Sequence, residues 1–488
     1  MRLVRSDAEL QQGIEGARRE ATSAFGDGTL MLERLIDNGR HIEIQVFADA
    51  HGNAVYLGER DCTAQRRRQK VIEEAPSPVV SPAMREAMGQ DAVAAALAVG
   101  YRGAGTVEFI IDDKRNHFFL EMNTRLQVEH PVTECITGYD LVEWQLQVAA
   151  GDVLPAKQED ITLTGHAIEA RLYVEDPYTG FAPQTGTVAW WQPERARHDG
   201  VRVDDGIRQG SVVSPFYDPM VAKIIVHGRD RDDAIRRLRA ALANTPLLGL
   251  KNNGRFLSDL VDHPAFRKAE MTTTLIDQWL EQGEPLLQAP VASNTAWSVA
   301  AVALAMQHGK NSAEGWRANS VAAYGFKLQT SDTVRAVRVL PDRHAGVQVT
   351  VDGIHSQARV ISFTDGVLRV ELNGVVQTAI TVIAGGHLHL AYAGHSHVFT
   401  EVSAFPNADA LKDASRARSP VAGKVTQVLV APGDAVREGQ QLVCVEAMKM
   451  EMWLCAESAG TVKAVHVKTG DQVESGAVLV ELEITKEA

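Results

Sequence analysis

Acids, amides and an arginine alternate with apolar residues in Glu121-Met122-Asn123-Thr124-Arg125-Leu126-Gln127-Val128-Glu129-His130-Pro131. Alternate side chains of an extended strand share a face, so Glu121, Asn123, Arg125, Gln127 and Glu129 are expected to line up together. Met122, Leu126 and Val128 would then turn to the core. The preceding segment Thr106-Val107-Glu108-Phe109 supplies a further acid, and a hairpin through residues 112–116 would set Glu108 beside Glu121. Two carboxylates and an amide oxygen suit Mg2+, a hard ion that keeps some waters and shares phosphate oxygens. The alternative is a solvated strand face with incidental ion pairs.

A second patch, residues 59–70, carries Arg60, Arg66, Arg67, Arg68 and Lys70. Taken with Arg125, it suits an anion such as phosphate or bicarbonate; a solvated basic run is the competing explanation. The third chemical signal is Glu446-Ala447-Met448-Lys449-Met450. It stands between two copies of one pattern: Ala422-Gly423, Gly433-Asp434, Gly439 and Leu442-Val443 return 37 residues later as Ala459-Gly460, Gly470-Asp471, Gly476 and Leu479-Val480. A fixed period means two equivalent units that bury one core. A hairpin joining them would hold the amine of Lys449 in water, where its long stem makes it a site for covalent attachment.

The elements that must position these groups follow from periodicity. Ser6 to Glu9 fits a capping box opening a helix to about Ala21. From Leu30 the pattern alternates as in strands, with Ile42, Ile44 and Val46 opposite Glu43 and Gln45. Helices are expected at Ser81–Val99, with Pro82 in its first turn, and at Arg229–Ala243. The part up to about Leu280 therefore predicts a mixed α and β domain. An Ala-rich helix over Ala296–Gln307 precedes residues 333–402, which are almost purely strand-like. There Asp352-Gly353 and Asn373-Gly374 mark two-residue hairpins, so this segment predicts an antiparallel β unit. Phe405–Pro420 has little periodicity and predicts a linker.

Bulk properties exclude some functions. A chain of 488 residues exceeds what one core usually organises. A formal charge of −13 argues against nucleic acid or an anionic membrane as partner. The most apolar stretch, Ala296–Met306, is too short to span a bilayer. The N-terminus lacks the apolar run of a signal peptide, and Cys62, Cys135, Cys444 and Cys455 have no metal-type spacing. Reduced thiols in the cytoplasm are the simplest expectation.

On these motifs the repeat resembles the biotinyl domain of biotin-dependent carboxylases; lipoyl domains share it, but Met-Lys-Met favours biotin. Residues from Glu33 to about Leu280 resemble the ATP-grasp and C-terminal parts of biotin carboxylase. The resemblance is carried by Arg40-His41-Ile42-Glu43-Ile44-Gln45, Glu59-Arg60-Asp61-Cys62, Glu121-Met122-Asn123-Thr124-Arg125 and Gly165-His166-Ala167-Ile168-Glu169-Ala170-Arg171. The whole is similar to the α subunit of acyl-CoA carboxylases, the methylcrotonyl-CoA type in particular.

This resemblance implies an α+β multidomain chain. Its parts would be an ATP-grasp lid remnant (1–30), the ATP-grasp catalytic part (31–150), a biotin carboxylase C-terminal domain (151–284), an antiparallel β-barrel docking domain with a helix (285–404), a linker (405–419) and a β-sandwich biotinyl hammerhead (420–484). It implies Mg2+ or Mn2+ on Glu108, Glu121 and Asn123, and ATP against Glu33, Arg34, Leu35, Ile36, His41 and Gln65. Bicarbonate would lie on Lys70, Arg125, Gln127 and Val128. Glu129 is the implied general base, Arg171 the stabiliser of the biotin enolate, and Lys449 the biotinylated residue. Implied partners are a separate carboxyltransferase β subunit, which receives the acyl-CoA, and a biotin protein ligase.

Two features depart from the family. Met1-Arg2-Leu3-Val4 corresponds to residues just after the family's glycine-rich phosphate loop, so the chain is expected to be truncated at its N-terminus. Arg68 stands where the family usually has a histidine near the ribose. Two functions therefore compete: a catalytic α subunit for methylcrotonyl-CoA, with geranyl-, propionyl- and acetyl-CoA as alternatives, and a biotin carrier whose ATPase half is incomplete.

Overall fold

Strand β1 (Arg40–Ala48) is buried on both faces, so the sheet is covered on both sides there. The structure, a computed structural model, describes residues 2–198, 200–309, 323–341, 346–402, 414–447, 450–474 and 476–484. Ile42, Ile44 and Val46 pack against the helix Pro82–Ala98, whose N-cap Ser81 accepts from the Met84 amide. Glu43 and Gln45 point the other way and are equally buried.

The remaining strands are β2 (Ala54–Arg66), β3 (Gln69–Ala75), β4 (Gly103–Ile111), β5 (His117–Asn123), β6 (His166–Tyr173), β7 (Val201–Asp205) and β8 (Met220–Gly228). They form one antiparallel sheet in the order β7-β8-β6-β3-β2-β1-β4-β5. Pairing of β3 with β6 carries hydrogen bonding across the expected division at residue 150. The helix Arg231–Asn244 packs on β6 and β8, and Phe256, Leu257, Leu260 and Trp279 extend that core.

Three local expectations are corrected. The first helix is Asp7–Phe25, and Ser6 makes no side-chain cap, because the Glu9 carboxylate accepts from the Arg5 amide instead. Residues 29–36 form no strand. The run through Glu129 is not one strand: β5 ends at Asn123, and a turn then leads to the helix His130–Thr137.

The helix Asn294–Gly309 is buried on every side over Ala296–Ala305, as an all-apolar helix must be. Eight antiparallel strands between Tyr324 and Glu401 close a barrel about the same core, with Trp297 and Phe399 rings 5.0 Å apart. Positive φ at Asp352 and Gly353, and at Asn373 and Gly374, confirms the expected two-residue turns.

The C-terminal repeat folds into two four-stranded sheets of equivalent order. One is Met450–Cys455, Gln441–Ala447, Gly423–Val428, Gln472–Val473; the other is Arg416–Arg418, Val478–Ile484, Gly460–Val465, Ala435–Val436. Gly423 and Gly460 explain part of the period, since a Cβ there would lie 2.3 Å from the Glu446 carbonyl oxygen and 2.5 Å from that of Glu483. Ala447 pairs with Met450, and Lys449 lies outside the described residues. Among the described residues, no helix is long and apolar enough to cross a membrane.

Candidate functional site

The polar face of β1 starts the site. Glu43, wholly buried, accepts from Arg60 Nε at 2.6 Å and from Lys70 Nζ at 2.7 Å. Arg60 on β2 is itself wholly buried. It also donates to Gln45 Oε1 at 2.7 Å, Thr133 Oγ1 at 3.0 Å, Gln127 Oε1 at 3.2 Å and Thr106 Oγ1 at 3.3 Å. Such a fork ties β1, β2, β4, the turn and the following helix together with one side chain.

Lys70 on β3 is the next node. Its ammonium donates to Glu129 Oε1 at 2.6 Å and Glu108 Oε1 at 3.1 Å, as well as to Glu43. Burial works against that charge, but the Glu43, Glu129 and Glu108 carboxylates outweigh it and hold Lys70 above the ordinary lysine range. Burial likewise favours neutral Glu43, yet Lys70 and Arg60 hold its carboxyl down at about 2. For Glu108 burial is offset by His41, whose Nε2 lies 2.9 Å away, and by Lys70 and Gln127, so it stays well below the usual range.

Glu129 sits at the start of the helix His130–Thr137, which orients it. Its second oxygen takes Arg171 on β6 at 2.8 Å, so this carboxylate bridges Lys70 and Arg171. Arg171 Nε also donates to Glu73 at 2.5 Å. Lys223 on β8 fixes the turn by donating to the Val128 carbonyl at 2.6 Å.

The expected hairpin is present: Glu108 and Glu121 are register partners on β4 and β5, and Asn123 faces Thr106. Asn123 Nδ2 is 3.0 Å from Glu108 Oε1 and 3.5 Å from Glu121 Oε1. The exposed Glu121 carboxylate, the buried Glu108 carboxylate, whose oxygens already face Lys70, Asn123, Gln127 and His41, and the Asn123 amide at the strand end are the oxygen ligand types that suit a hard divalent cation. His41, Glu43 and Glu108 also offer ligand atoms within 4.8 Å of one another.

The structure thus brings together Lys70, Glu108, Asn123, Gln127, Glu129, Arg171 and His41, with Glu121 at the rim and Gln65 paired to Lys70 across β2 and β3. Others stand apart. Arg125 is exposed and only reaches the Leu126 carbonyl at 3.4 Å, because the chain has left the strand by then. Glu33, Arg34 and Leu35 are exposed and Ile36 half-buried, in a segment without regular structure. The basic patch divides: Arg60 and Lys70 face buried acids, while Arg66 pairs with Glu175 at 3.1 Å and stacks on Phe181. Arg67 and Arg68 form the β2–β3 turn.

Glu43, Arg60, Glu73, Glu169 and Lys223 are site residues that periodicity alone did not single out. The available signal was the polar side of β1, where Glu43 and Gln45 alternate with isoleucines. Only strand neighbours on both sides show that this face is interior.

Beyond the site, Glu74 on β3 accepts from His166 Nε2 at 2.8 Å and Arg231 Nε at 2.6 Å. Burial pushes its carboxyl up, but the His166 bond and the Arg231 charge outweigh this and hold it at about 2. A depressed carboxyl stabilises the fold above its ordinary value near 4.5 and loses that contribution as pH falls through about 2. Glu74→Gln should therefore cost about 3 kcal/mol at pH 7 and almost nothing near pH 2. Melting curves of both chains across that window test the sign.

Comparison with known proteins adds four family matches: "Carbamoyl-phosphate synthase L chain, ATP binding domain" at residues 1–157, "Biotin carboxylase C-terminal domain" at 169–278, "Methylcrotonyl-CoA carboxylase, alpha-subunit, BT domain" at 293–404, and "Biotin-requiring enzyme" at 415–482. The mouse (Mus musculus) mitochondrial propionyl-CoA carboxylase alpha chain is 41% identical over 99% of this chain and 69% of its own length. The mouse mitochondrial methylcrotonoyl-CoA carboxylase subunit alpha is 39% identical, over 99% and 70%. Among solved structures, the biotin carboxylase domain of Hydrogenobacter thermophilus 2-oxoglutarate carboxylase, in complex with MgADP, ADP and bicarbonate, is 42% identical with a TM-score of 0.56. The match covers 59% of this chain and 62% of that one.

Proposed function

The chain belongs to the α subunits of biotin-dependent acyl-CoA carboxylases, and from that premise we propose that its sheet carboxylates biotin with ATP and bicarbonate while its C-terminal repeat carries the biotin on Lys449. The observation that supports this best is the Glu129 carboxylate held between Lys70 and Arg171. A base needs an acceptor oxygen in reach of the proton it takes, and cations nearby to receive an anionic substrate.

In this reading bicarbonate enters between Lys70, Gln127 and the Val128 backbone, with Arg125 closing from the surface. Glu129 takes its proton, so that the oxygen can attack the terminal phosphate of ATP and displace ADP, giving carboxyphosphate, which breaks down to CO2 and phosphate. Glu108, Glu121 and Asn123 would hold Mg2+ or Mn2+, whose charge offsets that of the ATP phosphates. His41 and Gln65, with the Glu33–Ile36 segment, would border the nucleotide. Biotin, when bound, supplies the ureido nitrogen that takes up this CO2, its N–H proton passing to the released phosphate. Arg171 offers its guanidinium to the oxyanion that develops there.

The carboxyl group would pass to an acyl-CoA on a carboxyltransferase β subunit, with the helix-filled barrel as the docking domain and the segment between Glu401 and the strand Arg416–Arg418, shorter at its C-terminal end than the expected linker, as the tether that raises effective concentration. We assign 3-methylcrotonyl-CoA as the first substrate to test, on the barrel's family match; propionyl-CoA is next on the mouse identity, ahead of geranyl- and acetyl-CoA. We place the chain in the cytoplasm, since its four cysteines are free; fractionation decides, the mouse relatives being named mitochondrial.

Bicarbonate-dependent ADP release with free biotin tests the catalytic half. Its absence, with Lys449 biotinylated, would leave the carrier function alone. Co-expression with a biotin protein ligase should add one biotin mass to the chain, and Lys449→Arg should abolish the addition completely. An unmodified parent chain would remove both functions.

A further inference from the structure

The mechanism above leaves two buried acids without a part. Glu73 on β3 and Glu169 on β6 are register partners on neighbouring strands, and both are wholly buried. Side chains so paired stand on one face with Cβ atoms about 4.5–5.5 Å apart. Glu73 Oε1 accepts from Arg171, but Glu73 Oε2 and both oxygens of Glu169 have no hydrogen-bond partner. Lys223 Nζ is 4.0 Å from Glu169 and donates to the Val128 carbonyl instead. An ionised carboxylate is costly to leave in that position.

The two acids also stand out within the network around them. The connected network contains the buried acids Glu43, Glu73, Glu108, Glu129 and Glu169, against the cations Arg60, Lys70, Arg171 and Lys223. His41 Nε2 lies 2.9 Å from Glu108, and Asp204, 3.5 Å from Lys223, has Arg202 as a partner of its own. Cys62, Cys135 and Tyr173, which also face this region, are pushed up by burial and carry no charge at neutral pH. Among these five acids, only Glu73 and Glu169 have oxygens without a hydrogen-bond partner.

We propose that Glu73 and Glu169 share a single proton at neutral pH, acting as positioning residues that leave the Arg171 guanidinium with net charge toward Glu129 and the substrate. The claim rests on the role assigned to Arg171 under the proposed function. Fully ionised, the pair and Glu129 would surround Arg171 with three carboxylates and spend its charge internally. Burial drives both carboxyls upward; Glu129 adds to this for Glu73, and Glu73 adds to it for Glu169. Loss of the shared proton in alkali would therefore pin Arg171 and close the site.

Isotope-edited infrared spectroscopy of the full chain, labelled with carbon-13 glutamate, reads the proton directly. Glu175, another buried acid that burial pushes up, is first removed by working in a Glu175→Gln background. A protonated-carboxyl band at pH 7 that disappears on alkaline titration, and is lost in Glu169→Gln, is the expected result. No such band at pH 7, or one that survives Glu169→Gln unchanged, overturns the proposal. If Glu169→Gln does not fold, the titration in the Glu175→Gln background still decides by the presence or absence of the band at pH 7. The band reports protonation, not turnover, so ADP release can fail while the pair behaves as proposed, and the reverse.

Discussion

Glu129→Gln should lower bicarbonate-dependent ADP release by about a hundred- to ten-thousand-fold, the usual contribution of a positioned general base. Glutamine keeps the shape and an oxygen for the Lys70 ammonium, which retains Glu43 and Glu108 as further partners. Arg171 likewise retains Glu73. Melting temperature should therefore fall less than in Arg60→Met while turnover collapses, and that split separates chemistry from folding. A variant keeping more than about a tenth of the parent rate would place the base elsewhere. Steady-state ADP release at saturating bicarbonate, beside a melting curve, is the measurement.

Arg60→Met should destabilise the sheet by about 3–5 kcal/mol, the loss expected when one partner of a buried charge pair is removed. The stranded groups are Glu43, left with Lys70 alone, and the oxygens of Gln45, Thr106, Gln127 and Thr133. Arg60→Lys should recover only part of this, since an ammonium cannot span the guanidinium's fork. Several domains unfold separately in such a chain, so hydrogen exchange of the β1 and β2 amides is the right readout. Protection equal to the parent's in Arg60→Met would mean that Glu43 is neutral in the native state.

These predictions bear on groups of different legibility. Glu108, Glu121 and Asn123 were readable because β4 and β5 are joined by a short turn, and hairpin register follows from turn position. Alternation alone puts Glu129 and Arg125 on a continuing strand, whereas Glu129 stands at a helix start and Arg125 in the turn before it. Arg60 was visible as one cation in a basic run, yet its hydrogen-bond partners lie 15 to 73 residues away.

By itself the sequence determined what local chemistry encodes. The repeat places equivalent glycines at Gly423 and Gly460, the Asp-Gly and Asn-Gly pairs set the barrel turns, and the Ala-rich run Ala296–Gln307 marks the helix observed at Asn294–Gly309. Each rests on spacing within a few residues or on a period. The tertiary structure alone decided that β6 lies beside β3 and β3 beside β2, which brings Arg171 to Glu73 across 98 residues and both to Glu129. Side-chain alternation tells a strand which residues share a face, but not which strand becomes its neighbour or whether that face is wet. The physical character of Glu43, Glu73 and Glu169 depends on that neighbour, because burial sets both their charge and their partners.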